Sequence, residues 1–160
     1  MNLRADVLLR VLFDATNPLD LTTGRDRNAL TALRRVTDGA GFGQAQRIFS
    51  DQVTLAPAAT ASFAFTGAGV RDVFGNLITF TRVNLIFVRN RTTTSVNYVY
   101  PSACPGTPSL ILLAGTRPRA YGNGFLFNFT PGGLTTGANR TLTIVGGVGT
   151  NTVDVIAMGS

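Results

Sequence analysis

The side chains that usually perform acid–base and nucleophilic chemistry are nearly absent from this chain. Its 160 residues include no His, and its 14 basic and 8 acidic residues are all Arg and Asp. A Ser, Thr or Cys nucleophile needs a base to take its proton, and the usual base is His. Cys104, between Ala103 and Pro105, has no His or Lys to stabilise a thiolate. The sequence therefore predicts that the protein is not an enzyme.

The sequence also offers few residues for metal binding or for catalysis by paired carboxylates. The aspartates are dispersed, at positions 6, 14, 20, 26, 38, 51, 72 and 154. A single Cys without His cannot furnish a usual zinc set, and no Asp-rich calcium loop occurs. Two Asp side chains that met in the fold could hydrolyse a glycosidic bond, and the sequence cannot test that alternative. We expect no catalytic residues, no metal and no cofactor.

The charge of the chain has two interpretations. Its formal charge is +6 and only 14% of its residues are charged, against roughly 25% in typical soluble domains. An Arg-only positive surface can bind an acidic partner, because planar guanidinium groups make bidentate contacts. Coding bias explains the same composition, since no basic run exceeds Arg34-Arg35. The low charge also predicts apolar surface that contacts a partner.

One aromatic segment allows a nucleic-acid hypothesis. Phe125, Phe127 and Phe129, near Arg117 and Arg119, could stack on bases beside phosphate contacts. Three Phe residues at a spacing of two share one strand face, and such a face is more typical of a sandwich core. We therefore predict that these residues are core and expect no direct nucleic-acid role.

The elements predicted along the chain are short strands. The 18 Gly and 7 Pro separate apolar and alternating runs, which is typical of antiparallel sandwiches and jelly rolls. We predict strands at 46–55, 61–66, 76–90, 96–100, 109–114, 124–130, 140–145 and 152–158, the first two adjacent to each other. The fold class expected is all-β, a single antiparallel β-sandwich or jelly-roll-like domain over residues 1–160 with Gly/Pro-rich turns. Nothing in the sequence is apolar for long enough to span a membrane.

The first 36 residues allow alternatives. Residues 24–36 contain the one plausible helix, with Leu30, Leu33 and Val36 at a helical spacing, although a strand fits almost as well. The N-terminal residues 1–13 fit an ordinary edge strand or an arm that reaches a neighbouring subunit. Arg10 interrupts their apolar run, which argues against a signal peptide.

The segment Val70–Val83, VRDVFGNLITFTRV, resembles a pattern of small structural proteins of tailed phages, in which an L-x-D-x-F-G-x-x-I-T-F-x-R-I stretch precedes a strand. An upstream Asp38-Gly39 loop with Gln44-Ala45, a downstream Pro131–Gly133 and the C-terminal Ile156–Gly159 extend the similarity over residues 38–160. The sequence departs from the pattern between Cys104 and Pro118. The resemblance implies a β-sandwich virion component.

The function implied is decoration of a capsid. Such a protein binds the outer surface of the shell and stabilises it, with the major capsid protein as partner, self-association as a homotrimer and localisation on the virion. An alternative is a tail, neck or fibre component that binds a receptor or glycan, for which Tyr98, Tyr100 and Tyr121 are candidates at loop tips. The candidate protein-interface residues are Arg4, Leu8, Leu9, Arg10, Arg34 and Arg35.

Overall fold

The computed structural model describes residues 3–18, 23–66, 69–72, 74–94, 97–103, 119–135 and 141–160. Every regular element within them is a β-strand, so the predicted all-β class is confirmed. The strands are β1 (Arg4–Pro18), β2 (Thr23–Asp38), β3 (Gln44–Ala45), β4 (Arg47–Leu55), β5 (Thr60–Ala64), β6 (Val70–Arg71), β7 (Leu77–Ile78), β8 (Arg82–Asn90), β9 (Tyr98–Ala103), β10 (Ala120–Tyr121), β11 (Phe125–Thr135), β12 (Thr141–Gly146) and β13 (Asn151–Gly159).

Two four-stranded antiparallel sheets pack face to face. Their strand orders are β10-β9-β12-β5 and β11-β8-β13-β4, and we call the second one the main sheet. Alternate residues of β12 and β13 point into the space between the sheets, because side chains alternate along a strand. Leu142, Ile144, Val153 and Val155 are fully buried there. The predicted antiparallel sandwich is therefore observed.

Four phenylalanines fill one part of this core. The rings of Phe49 and Phe63 lie 5.3 Å apart, and Phe65 meets Phe80 edge-on at 5.4 Å. Edge-to-face pairs of this kind add roughly 0.5–1.5 kcal/mol beyond the burial of their area. Phe49 and Phe63 come from the two sheets, Phe65 directly follows β5, and Phe80 lies between β7 and β8, so the rings join the two layers.

A third layer, β1-β2-β3, covers part of the outer side of the main sheet. β1 and β2 form an antiparallel hairpin with continuous pairing from Arg4↔Thr37 to Pro18↔Thr23. A second apolar cluster, made of Leu3, Val36, Ala45, Leu85 and Met158, joins this layer to the sandwich. At about 3.3 Å per residue, the 15 residues of β1 extend for about 50 Å.

The helix predicted at 24–36 is wrong, and the strand alternative holds. Leu33 is 54% exposed while Val36 is 1% exposed, because a spacing of three places them on opposite faces of a strand. Pairing with β1 gives this segment a continuous ladder of backbone hydrogen bonds along one edge, whereas a short isolated helix is only marginally stable in water.

Three other predictions need correction. β4 and β5 are not adjacent: β4 pairs with β13 and β5 pairs with β12, because alternation marks a buried face but not a partner. β9 runs through Pro101, opposite Ile144 at an irregularity of the ladder. β11 likewise continues past residue 130, where the predicted strand ends, with a register shift between Phe129 and Leu134. Proline occurs in strands at such irregular sites.

The strand predicted at 109–114 and Cys104 lie outside the described residues.

Candidate protein-interaction surfaces

The hairpin presents one face to solvent. Its members alternate along β1 and oppose one another across the ladder, from Arg4↔Thr37 to Arg10↔Thr31. All eight are exposed, and we call them the outward face: Arg4, Asp6, Leu8, Arg10, Thr31, Leu33, Arg35 and Thr37. The opposite side packs on the main sheet through Leu3, Ala5 and Val7. One side of the hairpin thus builds the fold and the other does not.

Four of the six predicted interface residues lie on this outward face. Arg4, Leu8 and Arg10 are neighbours along β1, and Arg35 lies across from Asp6 on β2. Arg34 is exposed but falls on the opposite side of β2 by alternation. Leu9 is paired with Ala32 in the ladder. Sequence reasoning missed Leu33, which opposes Leu8 and is 54% exposed beside the 60% of Leu8.

The one ion pair described on the outward face joins Arg35 and Asp6. The Nε of Arg35 donates to Oδ1 of Asp6 at 3.0 Å, and both side chains are about half exposed. Exposed pairs of this kind contribute roughly 0–1 kcal/mol. The pair orients the two side chains and leaves Oδ2 of Asp6 open to a second donor.

The outer side of the main sheet is apolar where it meets the hairpin and polar further away. The rows across its strands change from Leu85, Met158 and Ile48, through Phe127, Phe87, Ile156 and Ser50, to Phe125, Arg89, Asp154 and Gln52. The third row is fixed by polar contacts: Nε2 of Gln52 donates to Asp154 at 2.7 Å, and Arg91 lies 3.8 Å from the same carboxylate.

The prediction that Phe125 and Phe127 are core is wrong. They are 56% and 43% exposed, and it is Leu126 between them that packs against the core. A spacing of two shows which residues share a face but not which face is buried. Phe125 stacks on Phe87 with ring centroids 5.9 Å apart. Of the two arginines considered for phosphate contacts, Arg119 contacts Tyr121, with its Nη1 3.4 Å from the hydroxyl oxygen. Arg117 lies outside the described residues.

An apolar groove of about 390 Å³ separates the hairpin from these phenylalanines. One wall consists of four consecutive residues of β1, Ala5 to Leu8, and consecutive residues line a groove when a strand presents its edge rather than one face. The remaining lining residues are Ile48, Leu85, Phe87, Phe125, Phe127, Ile156 and Met158. The signal that could have found it is the apolar character of β8 and β13 on both faces, which is typical of a sheet covered on both sides.

The segment that carries the family resemblance forms a tight turn. The carboxylate of Asp72 accepts hydrogen bonds from the backbone of Phe74 at 2.9 Å and of Asn76 at 2.8 Å. Gly75 between them has φ +86, a conformation that favours glycine. Desolvation raises the pKa of Asp72. The hydrogen bonds from Asn76, Phe74 and Gly75 lower it by more, so this pKa lies below its ordinary value.

A buried amide cluster ties together the loops at one end of the sandwich. The Nδ2 of Asn90 donates to Oδ1 of Asn151 at 3.0 Å and to the carbonyl of Ala120 at 3.2 Å. Asn151 in turn donates to the carbonyl of Gly149 at 2.9 Å. Every buried polar side-chain atom in the described residues has a partner. The cluster is structural, and the sequence did not reveal it.

The described residues offer little else for chemistry. They contain no group of three or more His, Cys, Asp or Glu side chains close enough to hold a metal ion. Within the same residues no helix is long and apolar enough to cross a membrane. Of the tyrosines proposed for glycan binding, Tyr121 is 45% exposed and pairs with Tyr98 between strands β10 and β9. Tyr98 and Tyr121 therefore lie in strands rather than at loop tips.

The chain was compared with known proteins in three ways. No protein-family model, no curated protein and no solved structure matches it.

Proposed function

We propose that this chain is a structural protein of a tailed-phage particle, which binds the outer surface of the capsid shell and stabilises it without catalysis. The observation that carries the proposal is the outward face of the hairpin, where Arg4, Leu8, Arg10, Leu33 and Arg35 are all exposed. Arginine is enriched in protein interfaces, and the 15 residues of β1 are long enough to contact a neighbouring subunit.

The order of the strands supports a virion role. The eight sandwich strands, β4, β5 and β8 to β13, can be numbered 1 to 8 along the chain. Their order is then 1-8-3-6 in the main sheet and 2-7-4-5 in the other sheet. We infer a jelly roll from this order, since each of its sheets mixes strands from both halves of the chain. Jelly rolls occur in viral shells and also in lectins and cupins, so the fold supports the proposal only by analogy.

The energetics suit a protein that binds through many weak contacts spread over a large surface. Each exposed ion pair contributes roughly 0–1 kcal/mol, and covering a half-exposed leucine contributes about 1–2 kcal/mol. Many copies on a regular shell place such contacts side by side, and linked contacts raise avidity by about 10² to 10⁴. The positive charge of +6 favours association with an acidic shell surface.

The location is tested on particles. Tailed-phage particles whose genome encodes this chain are banded by density and probed with antibody against the purified chain. Label in the capsid-containing band, and density on the shell by cryo-microscopy, would support the proposal. Label on tails would favour the tail, neck or fibre alternative, and absence from the particles would contradict both.

The surface is tested by shell binding of two matched variants. Leu33→Ser removes a leucine that is 54% exposed on the outward face, and Leu77→Ser removes one that is 53% exposed on β7. The variants are added to particles from which the chain has been removed, and the number of copies bound per shell is measured. We expect Leu33→Ser to lower this number and Leu77→Ser to leave it unchanged. Equal occupancy for both variants would contradict the assignment of the outward face.

A further inference from the structure

We infer that β1 is a self-association edge: the β1 strands of two copies pair antiparallel about a two-fold axis at Leu8, and each strand fills the groove of the other copy. The three observations that carry it are the free edge of β1, the apolar groove beside that edge, and the order of charges along its outward face. The inference does not depend on binding to a shell.

The edge of β1 is open in the described fold. β1 is the terminal strand of its sheet, paired only with β2. Exposed edges are often protected by Pro, by a bulge or by charged side chains, Lys above all. The charges of β1 at Asp6 and Arg10 are opposite in sign and can pair with a second copy instead of repelling it. The chain has no Lys, β1 has no Pro before Pro18, and its register with β2 has no irregularity. A row of backbone donors and acceptors is therefore presented to another strand.

The groove supplies a surface for such a strand. Its wall is the edge of β1 at Ala5 to Leu8, and Phe125 and Phe127 lie across from that edge with about half of each side chain exposed. Added strands bind by main-chain hydrogen bonds to the edge and by seating alternate side chains in pockets. A strand beside β1 would cover both phenylalanines.

Charge complementarity identifies the occupant as a second copy. Asp6, Leu8 and Arg10 follow one another on the outward face, an acid, a leucine and a base at a spacing of two. Antiparallel pairing centred on Leu8 sets leucine against leucine and each Asp6 against the Arg10 of the other copy. Oppositely charged cross-strand pairs stabilise a sheet, and an isologous contact forms every such pair twice.

Other axes lose this match. Moving the axis to Val7 opposes Arg4 and Arg10, which carry like charges. Moving it to Arg10 opposes that residue with itself, and moving it to Leu9 opposes Leu8 with Arg10. Among these registers, only the one centred on Leu8 pairs acid with base and leucine with leucine within the outward face.

The pairing also supports the part of β1 that follows Leu3, Ala5 and Val7, the residues through which the hairpin packs on the main sheet. A two-stranded ribbon is marginally stable alone, whereas β2-β1-β1-β2 from two copies is a four-stranded sheet. In the proposed register, residues 9–12 of one copy run along residues 4–7 of the other, over Phe125 and Phe127. The main sheet of each copy thus supports a strand of the other copy.

Cysteine cross-linking tests the axis with a matched control. In a Cys104→Ser background, Leu8→Cys places two thiols on the axis. Leu33→Cys has similar exposure on the same face but is one strand further from the axis. Mild oxidation, or a short bis-maleimide, should cross-link Leu8→Cys into a covalent dimer at least tenfold faster than Leu33→Cys. Equal rates, or no dimer from Leu8→Cys, would overturn the proposal.

Charge reversal tests the pairing in solution without particles. Light scattering should give the wild-type chain twice its 16.9 kDa, whereas the trimer predicted from the resemblance would give three times that mass. Asp6→Arg and Arg10→Asp should each weaken the dimer about tenfold. Mixing the two variants should restore it, because their pairs become opposite in charge again. A monomeric wild type, a trimer, or no rescue on mixing would contradict the two-fold pairing.

A tryptophan reports on the groove. The chain has no Trp, so Phe125→Trp introduces a single fluorophore at its rim. Its emission should shift to the blue as concentration drives pairing, and adding Arg10→Asp should move that shift to about tenfold higher concentration. Emission that does not depend on concentration would show that no strand covers the groove. Failure of this test would leave shell binding by the outward face unaffected.

Discussion

Both sides of the main sheet carry large apolar side chains, but the surroundings of those side chains differ. On the inner side Ile86, Val88 and Val155 are at most 2% exposed. On the outer side Phe125 and Phe127 are about half exposed, although they are larger and equally apolar. Burial on the inner side stabilises this chain alone. The exposed apolar area on the outer side has no such role in one copy, and an area of this kind marks a contact with another molecule.

The largest expected difference between the two sides is in stability. Ile86→Ala should lower the free energy of unfolding by about 2–5 kcal/mol, because it leaves a cavity between the sheets. Phe87→Ala, one residue along on the outer side, should cost roughly 1–2 kcal/mol because Phe87 is only partly buried. Urea unfolding at low protein concentration measures both. A larger loss for Phe87→Ala would break the comparison.

A substitution at Asn90 tests the buried amide cluster, which lies at one end of the inner side. Asn90→Ala should cost about 2–3 kcal/mol, because it leaves Oδ1 of Asn151 and the carbonyl of Ala120 buried without their donor. Thr93→Ala, at an exposed position of the following loop, should change stability by less than about 0.5 kcal/mol. Thermal unfolding compares the two variants, and equal midpoints would mean that water replaces the lost hydrogen bonds.

The inner side could be predicted from the sequence, and the outer side could not. The apolar, β-rich run at 76–90 is typical of a strand with a buried centre, and Ile86 and Val88 are buried there. A period of two predicted burial of Phe125 and Phe127, which failed because period two does not distinguish the two faces of a sheet. The partners of β4 and β5 were mispredicted for a related reason: they are set by strands about 80 to 100 residues later in the chain.

The sequence indicated some residues of the candidate interface and missed others. Arg4, Leu8 and Arg10 could be chosen because charges interrupt an apolar N-terminal run. Leu33 was missed because the helical spacing of Leu30, Leu33 and Val36 favoured a different element. The groove depends on how the hairpin crosses the main sheet, and no local pattern contains that arrangement.

A smaller effect on stability is expected from the outer side. Phe127→Ser should change the free energy of unfolding of the isolated chain by less than about 1 kcal/mol, since 43% of the side chain is already exposed. It should nevertheless weaken self-association, because that surface becomes polar. Light scattering across a dilution series, beside urea unfolding, separates the two effects. Loss of folding in Phe127→Ser would mean that the outer side is part of the core.

The smallest effect is expected at Asp72, whose turn lies outside both sides of the sheet. The pKa of Asp72 is lower in the folded chain than its ordinary value of 3.8. Its charged form therefore stabilises the fold above that pH, and the contribution is lost as pH falls through the lowered pKa. Asp72→Asn should be less stable than the wild type at pH 6, and the difference should shrink towards pH 2. Asp51→Asn is the matched control, because the carboxylate of Asp51 accepts one backbone hydrogen bond, from Gln52, instead of several. Urea midpoints at the two pH values measure the difference. A gap for Asp72→Asn that stays constant with pH would mean that the turn depends on the shape of the side chain and not on its charge.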